Sequence, residues 1–248
     1  MKLIKAPPAI HAAMPGLLGV HSYEDVFEKF TRWDLLARGL RGRLRGKIDQ
    51  AVLDHQLLFI HVPKNAGTSI AAAVYGYSPA HRSAYYFHSV AKDFIDRAQS
   101  FAVLRDPVDR FLSTYWFIRN GGGDDVAMNP SFRAAVAGIE TLDALLDFTE
   151  ANIKDVYKLY NVLRPQWWYV TDDQGRILVD RLFILGEHQD EMSAFLSQFG
   201  VAEIPTKNRT KKGALDLTEA QAERIRRLYA RDVELIERVR AGGTGPLL

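Results

Sequence analysis

The chain has 248 residues, 47% of them apolar and 25% charged, with a formal net charge of +2 at pH 7 and no cysteine. That length and apolar content suffice for a full core, while no apolar run approaches the roughly 20 residues a membrane-spanning helix needs. The small net charge gives no general argument for nucleic acid, and the lack of cysteine excludes disulfides and cysteine-ligated zinc.

Taken in chain order, the N-terminus carries Lys2 and Lys5, but Pro7, Pro8, His11 and Pro15 interrupt the apolar core of a secretory leader, so a cytoplasmic enzyme is the expected setting. Tyr23, Phe27, Phe30 and Trp33 to Leu36 recur at helical spacing, so residues 1–55 are expected to form a helical extension packed on a main domain at 56–248. Arg38, Arg41, Arg43, Arg45 and Lys47 lie close together, broken by Gly39, Gly42 and Gly46. A solvated edge is the ordinary reading of such a stretch, which would also suit an acidic glycan, a membrane surface or a protein partner.

Leu57-Leu58-Phe59-Ile60 reads as a buried strand and runs into His61-Val62-Pro63-Lys64-Asn65-Ala66-Gly67-Thr68-Ser69. Gly67 permits close backbone approach, the residues after it open a helix whose free N–H groups favour an anion, and Thr68, Ser69 and Lys64 add donors. A P-loop of the ATPase type would need the lysine directly after the glycine, whereas here it stands three residues earlier. No acidic magnesium ligand is evident at a strand end, so no metal is expected. A second strand, Phe101-Ala102-Val103-Leu104, leads into Arg105-Asp106-Pro107-Val108-Asp109-Arg110-Phe111-Leu112-Ser113-Thr114-Tyr115. Its proline fits a helix first turn, and its arginine fork suits phosphate oxygens. Strand, loop and helix thus occur twice, the arrangement of an α/β fold with a central parallel sheet flanked by helices.

Beyond this block Gly121-Gly122-Gly123-Asp124-Asp125 breaks the chain, helical patterns cover Phe132 to Ala137 and Leu142 to Phe148, and a strand is expected near Ile177 to Leu185. Arg164-Pro165-Gln166-Trp167-Trp168-Tyr169 offers flat aromatic faces and an amide suited to sugar hydroxyls, with core packing the competing use of the tryptophans. Residues 205–213 form a basic loop ending in Gly213. Thr218-Glu219-Ala220-Gln221 has the form of a capping box, opening one terminal helix with a mostly apolar stripe from Ile225 to Ile236.

Lys64 to Ser69 followed by Arg105 to Tyr115 resembles the two phosphate motifs of the sulfotransferases that use 3′-phosphoadenosine-5′-phosphosulfate (PAPS), closest to their carbohydrate branch with heparan sulfate 2-O-sulfotransferase and bacterial relatives. The resemblance extends over residues 57–240 and implies the P-loop-like sulfotransferase fold. It implies that Lys64 meets the oxygen bridging sulfate and phosphate, that Asn65, Ala66, Gly67, Thr68 and Ser69 hold the 5′-phosphate, and that Arg105 and Ser113 hold the 3′-phosphate. Tyr85-Tyr86-Phe87-His88 is similar to the stretch carrying the catalytic histidine, which makes His88 the expected general base. Gln166, Trp167 and Trp168 match an acceptor-side stretch, and Asn208, Arg209 and Lys212 a segment lying over bound nucleotide. The implied product is adenosine 3′,5′-bisphosphate, and the implied partner is a carbohydrate or glycoconjugate acceptor, with no nucleic acid. The alternatives from other classes are a P-loop kinase-like enzyme using ATP and magnesium, and a nucleotide-binding regulatory protein without turnover.

Overall fold

The computed structural model describes residues 17–21, 23–123, 128–204, 213 and 215–242. Three helices come first, α1 (Tyr23–Thr31), α2 (Asp34–Arg45) and α3 (Gln50–Asp54), followed by strand β1 (Leu57–Ile60). Next are α4 (Gly67–Tyr75), α5 (Ala84–Val90), α6 (Lys92–Ile95), β2 (Gln99–Leu104) and the long α7 (Pro107–Arg119). After α8 (Pro130–Ala135), α9 (Leu142–Asn152) and the short α10 (Trp167–Val170) comes β3 (Arg181–Ile184), then α11 (Gln189–Ser197), α12 (Glu219–Leu228) and α13 (Ala230–Arg240). Among the described residues no helix is long and apolar enough to cross a membrane.

The strands form one parallel sheet in the order β1-β2-β3, with Ile60 beside Ala102 and Leu104 beside Ile184. Every residue of β1 is buried, and so is all of β2 after Gln99, as expected of a parallel sheet covered on both faces. Alternation along β1 divides its side chains. Leu57 and Phe59 join Ile70, Val74, Phe183 and Phe195 on one face, while Leu58 and Ile60 join Tyr86, Phe94, Trp168 and Leu235 on the other. The outer edge of β1 is covered by one side chain: Tyr75 Oη accepts from Phe59 N–H (2.8 Å) and donates to Leu57 C=O (3.2 Å).

The N-terminal helices share this core rather than standing apart, for Leu44, Ile48, Val52 and Leu53 pack in the cluster with Tyr86, Phe87 and Leu235. Two buried polar ties reinforce the contact. Tyr86 donates its hydroxyl to Leu44 C=O (2.5 Å), and Arg164 Nη1 pairs with Asp25 Oδ1 at 2.8 Å.

Local signals account for most boundaries. Asp106 caps α7 by accepting from Val108 and Asp109 N–H, with Pro107 in the first turn, and Thr218 and Gln221 complete both halves of a capping box on α12. The strand expected from Ile177 to Leu185 is confined to Arg181–Ile184, while Ile177 makes an isolated antiparallel bridge with Thr171. The expected terminal helix is two helices broken at Tyr229, whose hydroxyl reaches Leu163 C=O at 2.7 Å. The break turns Asp232 inward.

Candidate active site

Both phosphate-type loops leave the same end of the sheet, one after Ile60 and the other after Leu104. The first loop reverses its φ sign at successive residues: Lys64 (71°) and Ala66 (61°) are left-handed, whereas Asn65 and Gly67 are not. Such an alternation turns successive N–H groups into one concavity, a shape that receives anions, and non-glycine residues hold it only where the surroundings enforce it. Ala66 is also the N-cap of α4 without a side-chain cap, so the first N–H groups of that helix face the loop. Thr68 is half-buried and Ser69 buried at this helix end.

Gly67 is required by a close approach rather than by its own backbone angles. A Cβ there would lie 2.0 Å from Cδ2 and 2.1 Å from Nε2 of His61. The His61 ring also lies 4.1 Å from the His81 ring, and its Nδ1 is 3.4 Å from Ser78 Oγ. Burial first, and the neighbouring His81 second, hold its pKa well below the usual histidine range. His61 is therefore a neutral packing residue beneath the loop.

Gln166 braces the two loops together. Its Oε1 accepts from Arg105 N–H (2.9 Å) and Asn65 Nδ2 (2.7 Å), and its Nε2 donates to Arg105 C=O (2.8 Å). The residue is 0% exposed. The expectation that Gln166 meets an acceptor is thus overturned, because its oxygen already takes two donors and no face is open. Asn65 is spent in the same frame, donating also to Val103 C=O (2.8 Å), and its buried Oδ1 has no partner.

Arginines complete the frame. Arg105 Nη1 donates to Lys64 C=O (3.2 Å), while buried Arg110 donates from Nε to Pro63 C=O (3.1 Å) and from Nη2 to Arg164 C=O (2.8 Å). Lys64 reaches toward α7, its Nζ lying 4.2 Å from the centre of the Phe117 ring. Ser113, buried on that helix, is one turn from Phe117 and three residues from Trp116, so all three share a face. Gly213 packs on the same face, since a Cβ on it would come 2.7 Å from the Trp116 ring. Asn208, Arg209 and Lys212 lie outside the described residues.

The electrostatics follow from this crowding. Burial, then Arg105 and Arg110, bring the Lys64 ammonium down to about 8, and burial also lowers Arg105 against the opposing pull of Asp109 and Asp106. Clustered cations whose charged forms are disfavoured are the condition that a bound polyanion relieves.

The remaining expected residues are placed as follows. His88 stands in the last turn of α5, half-buried, with Nε2 2.9 Å from Leu178 C=O. A carbonyl only accepts, so in the neutral ring Nε2 carries the proton and Nδ1 holds the lone pair. Trp168 is a core residue, edge-on to Tyr157 and Tyr169 with the Arg164 guanidinium 4.5 Å from its ring centre. This corrects the expectation of a free sugar-stacking face at Trp168. Trp167 is half-buried, with Arg231 stacked 3.7 Å from its ring centre.

Two site-forming residues were named in the sequence patterns without a role of their own. Arg110 supports Pro63 from inside α7, and Asp232 accepts from Gln166 N–H (2.9 Å) and Trp167 N–H (2.8 Å), fixing the segment that carries the brace. Burial raises the Asp232 pKa against the pull of Arg110 and these N–H donors. The available signals were a charge on the inner face of a helix and an acid inside an apolar stripe.

The parallel α/β sheet thus carries two anion-competent loops at one end. The sequence profile of the sulfotransferase family matches residues 52–238, about three quarters of the chain, and the chain belongs to that family. Among curated proteins and among solved structures, none matches.

Proposed function

We propose that this sulfotransferase moves a sulfuryl group from PAPS to a hydroxyl of a carbohydrate or glycoconjugate. The carrying observation is the single frame in which Gln166 and Arg105 tie the Lys64 loop to the start of α7. It supports one ligand with anionic groups at both ends. In this reading Asn65 to Ser69 and the N-terminus of α4 hold the 5′-phosphosulfate, with Arg105 and Ser113 on the 3′-phosphate. Asn65 contributes through its backbone, its amide nitrogen being bonded within the frame. The covering role of Asn208, Arg209 and Lys212 rests on the likeness of their segment to one lying over bound nucleotide in the family.

The acceptor oxygen attacks sulfur in line, the bond from sulfur to the bridging oxygen breaks, and adenosine 3′,5′-bisphosphate leaves. His88 takes the acceptor's proton at Nδ1, held in the required tautomer by Leu178 C=O. Lys64 meets the charge growing on the bridging oxygen. The sugar assignment rests on the likeness of the loops to the carbohydrate branch, since Gln166 and Trp168 are otherwise engaged.

Calorimetric titration with adenosine 3′,5′-bisphosphate, beside ADP with magnesium, tests the reading. The bisphosphate is expected to bind more tightly than ADP, and Arg105→Ala to lose most of that preference. No preference for the 3′-phosphate would overturn the proposal.

A further inference from the structure

A small pocket of about 20 Å³, open to solvent, lies beside Phe59 of β1. Lys47, Ile48, Asp49 and Val52 line it on one side, and Phe59, Pro79, Ala80, Arg82 and Phe87 on the others. Arg82 is only 6% exposed, yet it is poorly partnered. Its Nη2 makes one long bond to Lys47 C=O (3.4 Å), while Nε and Nη1 are buried without a partner. The guanidinium is held in place by the rings of Tyr86, 4.3 Å away, and Phe27, 5.7 Å away.

The buried carboxylate of Glu28 balances the Arg82 charge through space but gives its hydrogen bonds to Ser83. Glu28 Oε1 accepts from Ser83 N–H (2.7 Å) and Oε2 from the Ser83 hydroxyl (2.8 Å). Asp49, the one acidic residue in the pocket wall, accepts from Tyr77 Oη (3.2 Å). Burying N–H donors without a hydrogen bond is costly, and an oxyanion is a group that answers both of them at once. Lys47 at the rim adds a second cation, and the exposed Arg38, Arg41 and Arg43 of α2 extend positive charge toward it. On the other side Pro79 and Ala80 run into His81, which contacts His61, and His61 packs on Gly67 of the anion loop. The pocket is thus one layer of side chains from that loop. Lys47, Ile48 and Asp49 precede the residues matched by the family profile, so part of the wall belongs to this chain's own N-terminal region.

We propose that this pocket is a second anion site, taking one carboxylate or sulfate group carried by the acceptor. Its assignment to the acceptor rests on the transfer reading above, whereas the site itself does not.

The test uses the full chain with its phosphate loops saturated by adenosine 3′,5′-bisphosphate, titrated calorimetrically at constant ionic strength with sodium sulfate, sodium acetate and sodium D-glucuronate. Wild type is expected to bind one further anion. Arg82→Gln should weaken it by at least about tenfold and Lys47→Gln by about threefold, with bisphosphate affinity unchanged. Lys47 is exposed, so Lys47→Gln carries the test if Arg82→Gln does not fold. Equal affinities in all three proteins would mean an adventitious ion only and overturn the site, as would no anion binding to wild type. Glucuronate binding more tightly than acetate supports an acceptor-borne group, whereas sulfate binding with no gain for glucuronate overturns that assignment and leaves a free-anion site. Should wild type not bind the bisphosphate, the transfer reading falls, while the Arg82 dependence of sulfate binding still decides the pocket.

Discussion

Lys64 combines a left-handed backbone, contact with an aromatic ring and a charge crowded by Arg105 and Arg110. With its pKa lowered to about 8 from an ordinary 10.5, the unfolded chain binds more protons between these values, so this lysine's contribution to stability rises with pH through that window. Ligand binding has the opposite sign, because a polyanion restores the proton. At pH 8.5, calorimetry in buffers of differing ionisation heat should register net proton uptake on binding adenosine 3′,5′-bisphosphate, and affinity should fall as pH rises further. Lys64→Met should abolish the uptake; the same uptake in the variant would exclude Lys64 as its source. Turnover of Lys64→Ala should fall about 10²- to 10³-fold, as for loss of one transition-state donor. Gly67→Ala should cost about 1–3 kcal/mol through the His61 contact, and His61→Ala in the same chain should recover much of it. Additive thermal shifts in the double variant would count against that contact. Lys64 and Gly67 were legible in the sequence because a strand, a short loop and a helix start dictate their surroundings. Gln166 was not, since an amide serves a ligand or the backbone equally well and only the fold tells which lies within reach.

The elements around the site are held by side chains rather than by packing alone. Gln166→Leu would strand the N–H and C=O of Arg105 and remove one acceptor from Asn65. A loss of about 2–5 kcal/mol is expected, with weaker bisphosphate binding even under conditions where the variant is folded. Denaturant titration and calorimetry check the two parts separately, and unchanged values in both would remove the brace from the account. At this scale the sequence predicted well wherever the signal was local, as at the caps of α7 and α12. It failed at the break between α12 and α13, because the stripe from Ile225 to Ile236 continues across Tyr229. That break is set by long-range bonds, Tyr229 to Leu163 and Asp232 to the start of α10. The strand near Ile177 was overextended for the same reason, since an apolar run marks burial but not where ladder pairing begins.

Across the whole molecule, the pair Arg164–Asp25 connects α1 to the segment bearing the brace, with both side chains buried. Arg164 also donates from Nε to Val156 C=O and from Nη2 to Leu159 C=O. Asp25→Ala would leave the buried guanidinium with carbonyl acceptors only, at a cost of about 3–5 kcal/mol. We propose that helices α1 to α3 unfold together with the sheet and its other helices, so denaturation of this variant should remain one transition at a lower midpoint. Two separated transitions would show that the N-terminal helices are an independent unit. The helical spacing from Tyr23 onward marks an apolar face, but the identity of its buried ion pair depends on partners 139 residues apart, which no local pattern encodes.

The Tyr75 hydroxyl carries a further consequence, for how copies of this protein behave toward one another in concentrated solution. By occupying Phe59 N–H and Leu57 C=O, it takes the place that a stranger's backbone would otherwise occupy at the border of the sheet. One oxygen atom thus answers two backbone groups at that border, and Tyr75→Phe would leave both without this partner while keeping the ring in place.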